Sequence, residues 1–343
     1  MLERKNIKFK SLLIILVLLF ISTFSFAIFN HHEVTFAQEK EVYLGGQPIG
    51  LNINSDGLIV IDFKPIITAS GNLCPAKDCG LQVGDMIIKT NDKVVKTPVD
   101  LQNAISNADN TVKIVAKRAE KEIELSASPV FDPLAGARKL GLIVKNDISG
   151  IGTLTYVDNN GNYCSLGHKI CDPNLNNQAL YQCGKIYNAN VIGVYKGSKD
   201  EAGALKGTFD KNASEIGSTI RNCEFGVYGK IPNKNALKLD KKVKIGSKND
   251  VKPGKAYIYT TIEGSQPRRY QIEIVKAYNQ DKPDIKSMVI RVTDKQLLEA
   301  SGGIVQGMSG SPIIQDDKLI GAVTHVFLND STIGYGVYID WLF

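Results

Sequence analysis

Apolar and polar positions divide this chain into three regimes. Residues 1–10 are basic, and an uncharged run extends from Ser11 to Phe29. From Glu41 to about Ser128, short β-branched runs alternate with turns. Leu58 to Phe63, Asp85 to Thr90, Lys93 to Val95, Thr111 to Ala116 and Glu122 to Ser126 are expected strands. Two helices punctuate them. Pro75 to Cys79 is closed by Gly80, and a second helix starts at Thr97-Pro98-Val99-Asp100, with Thr97 as N-cap and Leu101, Ala104 and Ile105 on one face. Asp132-Pro133 to Arg138 is a linker, and from Lys139 the pattern becomes short strands between Gly- and Asn-rich turns. Gly141 to Val144, Gly152 to Tyr156, Ala256 to Thr261, Tyr270 to Val275 and Met288 to Val292 are examples. Such spacing predicts a β-barrel or sandwich. The one helix expected there is Asp294 to Ala300, with Thr293 or Asp294 as its cap.

Length and composition fit about two domains in 343 residues. With 43% hydrophobic and 22% charged residues the chain is neither disordered, collagen-like nor a multi-span membrane protein. The formal charge of +6 falls to +4 without residues 1–37, which gives no reason to invoke nucleic acid. A basic flank ahead of an apolar run is the pattern of export. The run suits a membrane anchor in length, while Thr35-Phe36-Ala37 offers a cleavage site, so residues 1–37 read as a signal peptide or a signal anchor. Residues 38–343 are then extracytoplasmic, where disulfides are permitted for Cys74, Cys79, Cys164, Cys171, Cys183 and Cys223.

Cys74-Pro75-Ala76, Cys79-Gly80-Leu81, Gly84-Asp85-Met86-Ile87, Asn91 and Asp100-Leu101 together resemble a PDZ domain, an α+β fold, over residues 41–128. Cysteine stands where that pattern has Ser and Ala, which leaves a disulfide across the short helix open. The resemblance implies a peptide bound as an added strand, its terminal carboxylate held by a glycine-containing loop. Ile49, Gly50 and Leu51, in Pro48-Ile49-Gly50-Leu51, are the expected loop, with an ordinary turn as the other reading.

The sharpest chemistry lies in Gly307-Met308-Ser309-Gly310-Ser311-Pro312. Small neighbours let the backbone turn tightly around a serine, expose its Oγ and aim the Gly307 and Ser309 N–H groups at one point, an oxyanion hole. An α/β-hydrolase elbow wants Gly where Ser311 stands, and a Ser–acid–His order. Gly-x-Ser-Gly-x-Pro instead resembles the chymotrypsin-like proteases, whose order is His, Asp, Ser. Past the export segment only His168 and His325 remain as bases.

Gly150-Ile151-Gly152-Thr153-Leu154-Thr155, Leu166-Gly167-His168, Gly302 to Pro312, Ile320 to Val326 and Gly334 to Tyr338 resemble the stage IV sporulation protein B family, the PDZ-containing serine peptidases of endospore formers. The resemblance covers the whole chain in order. It implies a mainly β molecule: an export segment, a PDZ domain and, over 135–343, a chymotrypsin-like double β-barrel. It also implies a triad of His168 as base, Asp294 as orienting acid and Ser309 as nucleophile. His325 is the runner-up base or a pocket residue, and Asp294 also reads as a helix cap. The family cleaves itself and a membrane-bound regulator in the space between the two forespore membranes, releasing an intramembrane protease to mature a mother-cell sigma factor. No cofactor and no nucleic-acid partner is expected. The expected partners are a protein substrate at a membrane and a peptide or C-terminal tail at the PDZ domain. Two other readings stand beside this one: a catalytically silent PDZ scaffold, and a zinc site from Cys164, His168, Cys171 and Cys183, which an oxidising compartment disfavours.

Overall fold

The computed structural model describes residues 41–343 except residues 120, 173–174, 176–180, 198–200 and 328. The expected export segment, residues 1–37, lies outside the described residues. Residues 41–343 form a compact unit of their own.

The chain begins with β1 (Glu41–Leu44) and then β2 (Pro48–Phe63), which is sixteen residues long. Next come β3 (Ile66–Thr68), β4 (Gly71–Leu73), α1 (Pro75–Asp78), β5 (Met86–Thr90) and β6 (Lys93–Val94). They are followed by α2 (Pro98–Ser106), β7 (Val112–Arg118), β8 (Lys121–Ala127), β9 (Val130–Asp132) and β10 (Ala137–Lys139). These small elements are the PDZ domain. Their core is Leu58, Val60, Leu81, Ile87, Leu101, Ile105 and Ile114. Thr97, the expected N-cap, and Asp100 close a capping box on α2. The Cys74 and Cys79 thiols donate to the carbonyls of Gly141 and Ala76, each at 3.1 Å.

A second sixteen-residue strand, β11 (Leu142–Val157), then runs back antiparallel along β2, from Leu142 opposite Phe63 to Thr153 opposite Pro48. Both strands cross from one domain into the other without a break. Ser55-Asp56-Gly57 has turn composition but forms a bulge, with the Ser55 hydroxyl on the Gly57 and Asn146 carbonyls. The PDZ domain is therefore inserted between two adjacent strands of a barrel.

That barrel is closed by β12 (Asn162–Ser165), β13 (Cys183–Asn188), β16 (Gly217–Cys223) and β17 (Gly226–Lys230). The ring runs β2–β11–β12–β17–β16–β13 and back to β2, antiparallel throughout. A hairpin of β14 (Asn190–Tyr195) and β15 (Ala204–Thr208) projects from it. Here the expected PDZ loop is corrected. Ile49, Leu51 and Ile53 are fully buried on the inner face of the barrel, as the period of two along a strand dictates. Gly50 is clamped between β11 and β13, where a side chain would strike the Phe209 ring. Residues 48–51 are a barrel strand and hold no ligand loop.

The connecting β18 (Lys242–Ile245) pairs with β1 and leads to the second barrel. It is built from β19 (Gly254–Thr260), β20 (Arg268–Ala277), β21 (Met288–Val292), β22 (Pro312–Gln315), β23 (Lys318–Phe327) and β24 (Asp330–Tyr338). The ring β19–β20–β21–β24–β23–β22 closes antiparallel around Ile258, Ile272, Ile290, Met308 and Val323. Helix α3 (Lys295–Ser301) follows β21. The molecule is mainly β: a PDZ domain and two six-stranded barrels in the chymotrypsin-like arrangement. Val42, Leu44, Tyr156, Val243, Ile314 and Leu342 fill a separate apolar cluster.

Candidate active site

The loop ahead of β22 carries Ser309. Gly307 and Gly310 flank it at φ of 94° and 93°, conformations that glycine adopts without strain. Barrel-one threonines hold both sides of the loop: Thr153 Oγ1 donates to the Gly307 carbonyl at 2.6 Å, and Thr155 Oγ1 to the Gly310 carbonyl at 2.8 Å. Met308 N bonds Val305 O, Gly310 N bonds Val323 O, and Ser311 N bonds Met308 O. Among the described residues, the amides of Gly307 and Ser309 have no protein acceptor. Two unspent N–H groups flanking a tethered serine are what an oxyanion hole requires.

His168 follows β12 through Leu166 and Gly167, both left-handed at φ of 71° and 66°. For leucine this conformation is strained, and such strain gathers at functional sites. The turn is pressed onto the second barrel: a Cβ on Gly167 would lie 3.1 Å from Thr324 Cγ2, and one on Gly310 would collide with Thr153 and Leu166 backbone. The segments carrying His168 and Ser309 thus meet across the barrel interface. His168 Nδ1 lies 2.9 Å from the Lys169 carbonyl. That contact assigns the proton to Nδ1 and leaves Nε2 as the free acceptor. Burial lowers the pKa of His168, against the opposing pull of the Lys169 carbonyl, so the ring is neutral near neutral pH.

The His325 ring stands 5.4 Å from the His168 ring, and its buried Nδ1 has no hydrogen-bond partner among the described residues. Burial first, then the charges of His168 and Lys286, push it down to about 4. The Ser309 hydroxyl donates to the Thr324 carbonyl at 2.9 Å, its resting position.

Asp294 has different partners. Its carboxylate accepts from the amides of Gln296 at 3.0 Å, Leu297 at 3.2 Å and Gln271 at 3.1 Å, capping α3 and tying it to β20. Among the described residues, no hydrogen bond or ion pair joins it to His168. Of the four residues of the disfavoured zinc alternative, Cys164 is buried in β12 with its thiol pushed up to about 12 by burial, and Cys183 is exposed on β13, donating to the Ile220 carbonyl.

The SpoIVB peptidase S55 family pattern matches residues 136–343, more than half of the chain. The chain belongs to that family. It is a serine peptidase, and a PDZ pattern matches residues 66–118 of the same S55 peptidase. No curated protein matches it. Among solved structures, it is similar to the PDZ domain of the SdrC-like protein of Listeria monocytogenes, at 21% identity over 27% of this chain and 90% of that one, TM-score 0.22. It is also similar to the Rv3671c protease of M. tuberculosis in its active form, at 14% identity over 56% and 70%, TM-score 0.30. The HtrA-type protease AlgW with a decapeptide matches at 15% identity over 61% and 55%, TM-score 0.33.

The S55 peptidase has a second concavity, in its PDZ domain. A groove of about 770 Å³ runs between α2 and the start of β11, lined by Val99, Leu101, Ile105, Leu140, Leu142 and Ile143. Gly141, at φ 74°, turns the backbone there, and its carbonyl accepts from Lys64 N. Val99 is 65% exposed and Ile143 38%, so apolar surface faces the groove. Among the described residues, Leu142–Val144 pairs on one edge only, with β2. The sequence marks Gly141 to Val144 as a strand but not as the edge of a groove. The signal was present in Leu140-Gly141-Leu142, an apolar–glycine–apolar triplet entering a strand.

Proposed function

We propose that this chain is an exported, membrane-tethered serine endopeptidase using Ser309 as nucleophile and His168 as general base. The observation that carries this reading is the pair of unspent amides, Gly307 and Ser309, in a serine loop packed against the turn that leads to a neutral histidine. In this mechanism the hydroxyl gives up the Thr324 carbonyl for Nε2. Nε2 takes its proton as Oγ attacks the peptide carbonyl, and the two amides receive the oxyanion. The resulting imidazolium protonates the leaving amine, and water then releases the acyl group by the same steps. Base catalysis is worth about 10²–10⁴ and one oxyanion donor about 10²–10³.

In this proposal the Lys169 carbonyl keeps the imidazole in its productive tautomer. Asp294 acts as the cap that fixes α3 ahead of the serine loop. The PDZ groove takes an apolar peptide as an added strand beside Leu142–Val144. Following the family, the substrates are the chain itself and a membrane-bound regulator in the forespore intermembrane space, upstream of sigma-factor maturation.

A fluorophosphonate probe tests the chemistry. Labelling of wild type that disappears in Ser309→Ala and falls by at least about 100-fold in rate in His168→Ala is expected. Equal labelling of Ser309→Ala would remove the proposal.

A further inference from the structure

We propose that the face of the second barrel formed by β18, β19 and the start of β20 is a docking surface for anionic phospholipid headgroups. Residues 234–255 hold eight lysines against Asp240 and Asp250, a formal excess equal to the +6 of the entire chain. The charge is therefore gathered on one stretch. Lys241, Lys242, Lys255 and Arg269 rim an open depression of about 380 Å³ floored by Tyr257 and Tyr259. All four cations are exposed and the tyrosines half-buried.

The rings organise the cations. Arg269 lies 4.5 Å from the Tyr257 centroid, Lys241 4.6 Å from that of Tyr259, and Lys234 and Lys242 lie 4.6 and 5.0 Å from that of Tyr43. Lys241 Nζ also donates to the Tyr259 hydroxyl at 2.6 Å. Asp316 and Asp317 stand at the rim, Asp316 paired with Lys252 at 3.8 Å, and leave the depression with a cationic excess.

Four cations around one open depression, with Lys234 against the neighbouring Tyr43, offer more positive charge than one small anion needs and suit several phosphates. Interleaved tyrosines suit the headgroup layer, where amphipathic rings collect. The position in the chain agrees: β1, which pairs with β18 along Glu41–Lys244 to Tyr43–Lys242, begins twelve residues after the apolar run ends at Phe29. The surface itself is built from described residues, so its test dispenses with that run.

The test is flotation of residues 41–343 with vesicles of phosphatidylcholine alone or with one third phosphatidylglycerol. Binding to the anionic vesicles only, lost at high salt, is expected. Lys241→Gln/Lys242→Gln/Lys255→Gln should weaken it by about 100-fold, at roughly a factor of 5 per cation. Lys89→Gln/Lys93→Gln/Lys121→Gln in the PDZ domain should leave it unchanged. Fluorophosphonate labelling of Ser309 shows that each variant is folded. Equal binding to neutral vesicles, full binding by the first triple variant, or capture on polyglutamate beads without binding to anionic vesicles would overturn the proposal, the last in favour of an acidic protein partner.

Discussion

Asp294 is where residue-level geometry makes its sharpest claim. Its carboxylate holds three amides, and asparagine is as good an N-cap as aspartate. The Asn oxygen can keep the Gln296 and Leu297 amides, but its NH2 would then face the Gln271 N–H. Asp294→Asn is expected to cost about 1–3 kcal/mol in urea unfolding while keeping kcat/KM within about tenfold, and Asp294→Ala, which loses all three bonds, should cost at least as much. A loss near 10⁴ in the Asn variant would mean that the carboxylate acts on the imidazole after all. Thr153→Val leaves the Gly307 carbonyl unpaired, and about 1–3 kcal/mol of stability should be lost, seen in urea unfolding. Ser309 was legible because a reactive serine needs small neighbours, and those have letters in the sequence. The Lys169 carbonyl was not, because a main-chain acceptor is the same for every residue type. Thr153 and Thr155 stood within the motif, yet their partners lie more than 150 positions away, a distance that only the closed barrels bridge.

Among the elements, β2 and β11 decide the architecture. Asn54 faces Asp147 where the two strands leave the barrel. Joining them with an Asn-Gly turn and removing residues 55–146 should leave a folded two-barrel protein that labels at Ser309, checked by far-UV circular dichroism and probe labelling. Failure of that variant to fold would show that the barrel depends on its insert. Ile49→Ala or Leu51→Ala should cost about 2–5 kcal/mol, as core residues do. The N-cap of α2, the cap of α3 and most strands were legible, since each is written in local spacing. The continuity of β2 was not: Ser55-Asp56-Gly57 reads as a turn, and only pairing with β11 turns it into a bulge. For the same reason residues 48–51 were assigned to the PDZ domain. A glycine between apolar residues looks alike in a ligand loop and in a crowded strand.

For the molecule as a whole, the two histidines set the response to pH. Both are held neutral, with folded-state values below the ordinary 6.5, and that of His325 near 4. The unfolded chain binds more protons in that interval, so stability is full above about 6.5 and declines as pH falls toward about 4. Thermal unfolding should show this slope, and His325→Gln should flatten it. The acid limb of kcat/KM should have its midpoint below 6.5, since His168 must be unprotonated to act as base. Domain content was legible from the motifs, but their nesting was not, because an insertion leaves no mark in composition. That nesting governs what a protease cut achieves. A nick in the exposed turn at Ser70-Gly71 would split the chain in two, yet the front fragment would still supply one stave of the first barrel. Both pieces should co-elute under native conditions and separate only in denaturant, so a severed backbone need not mean a released domain.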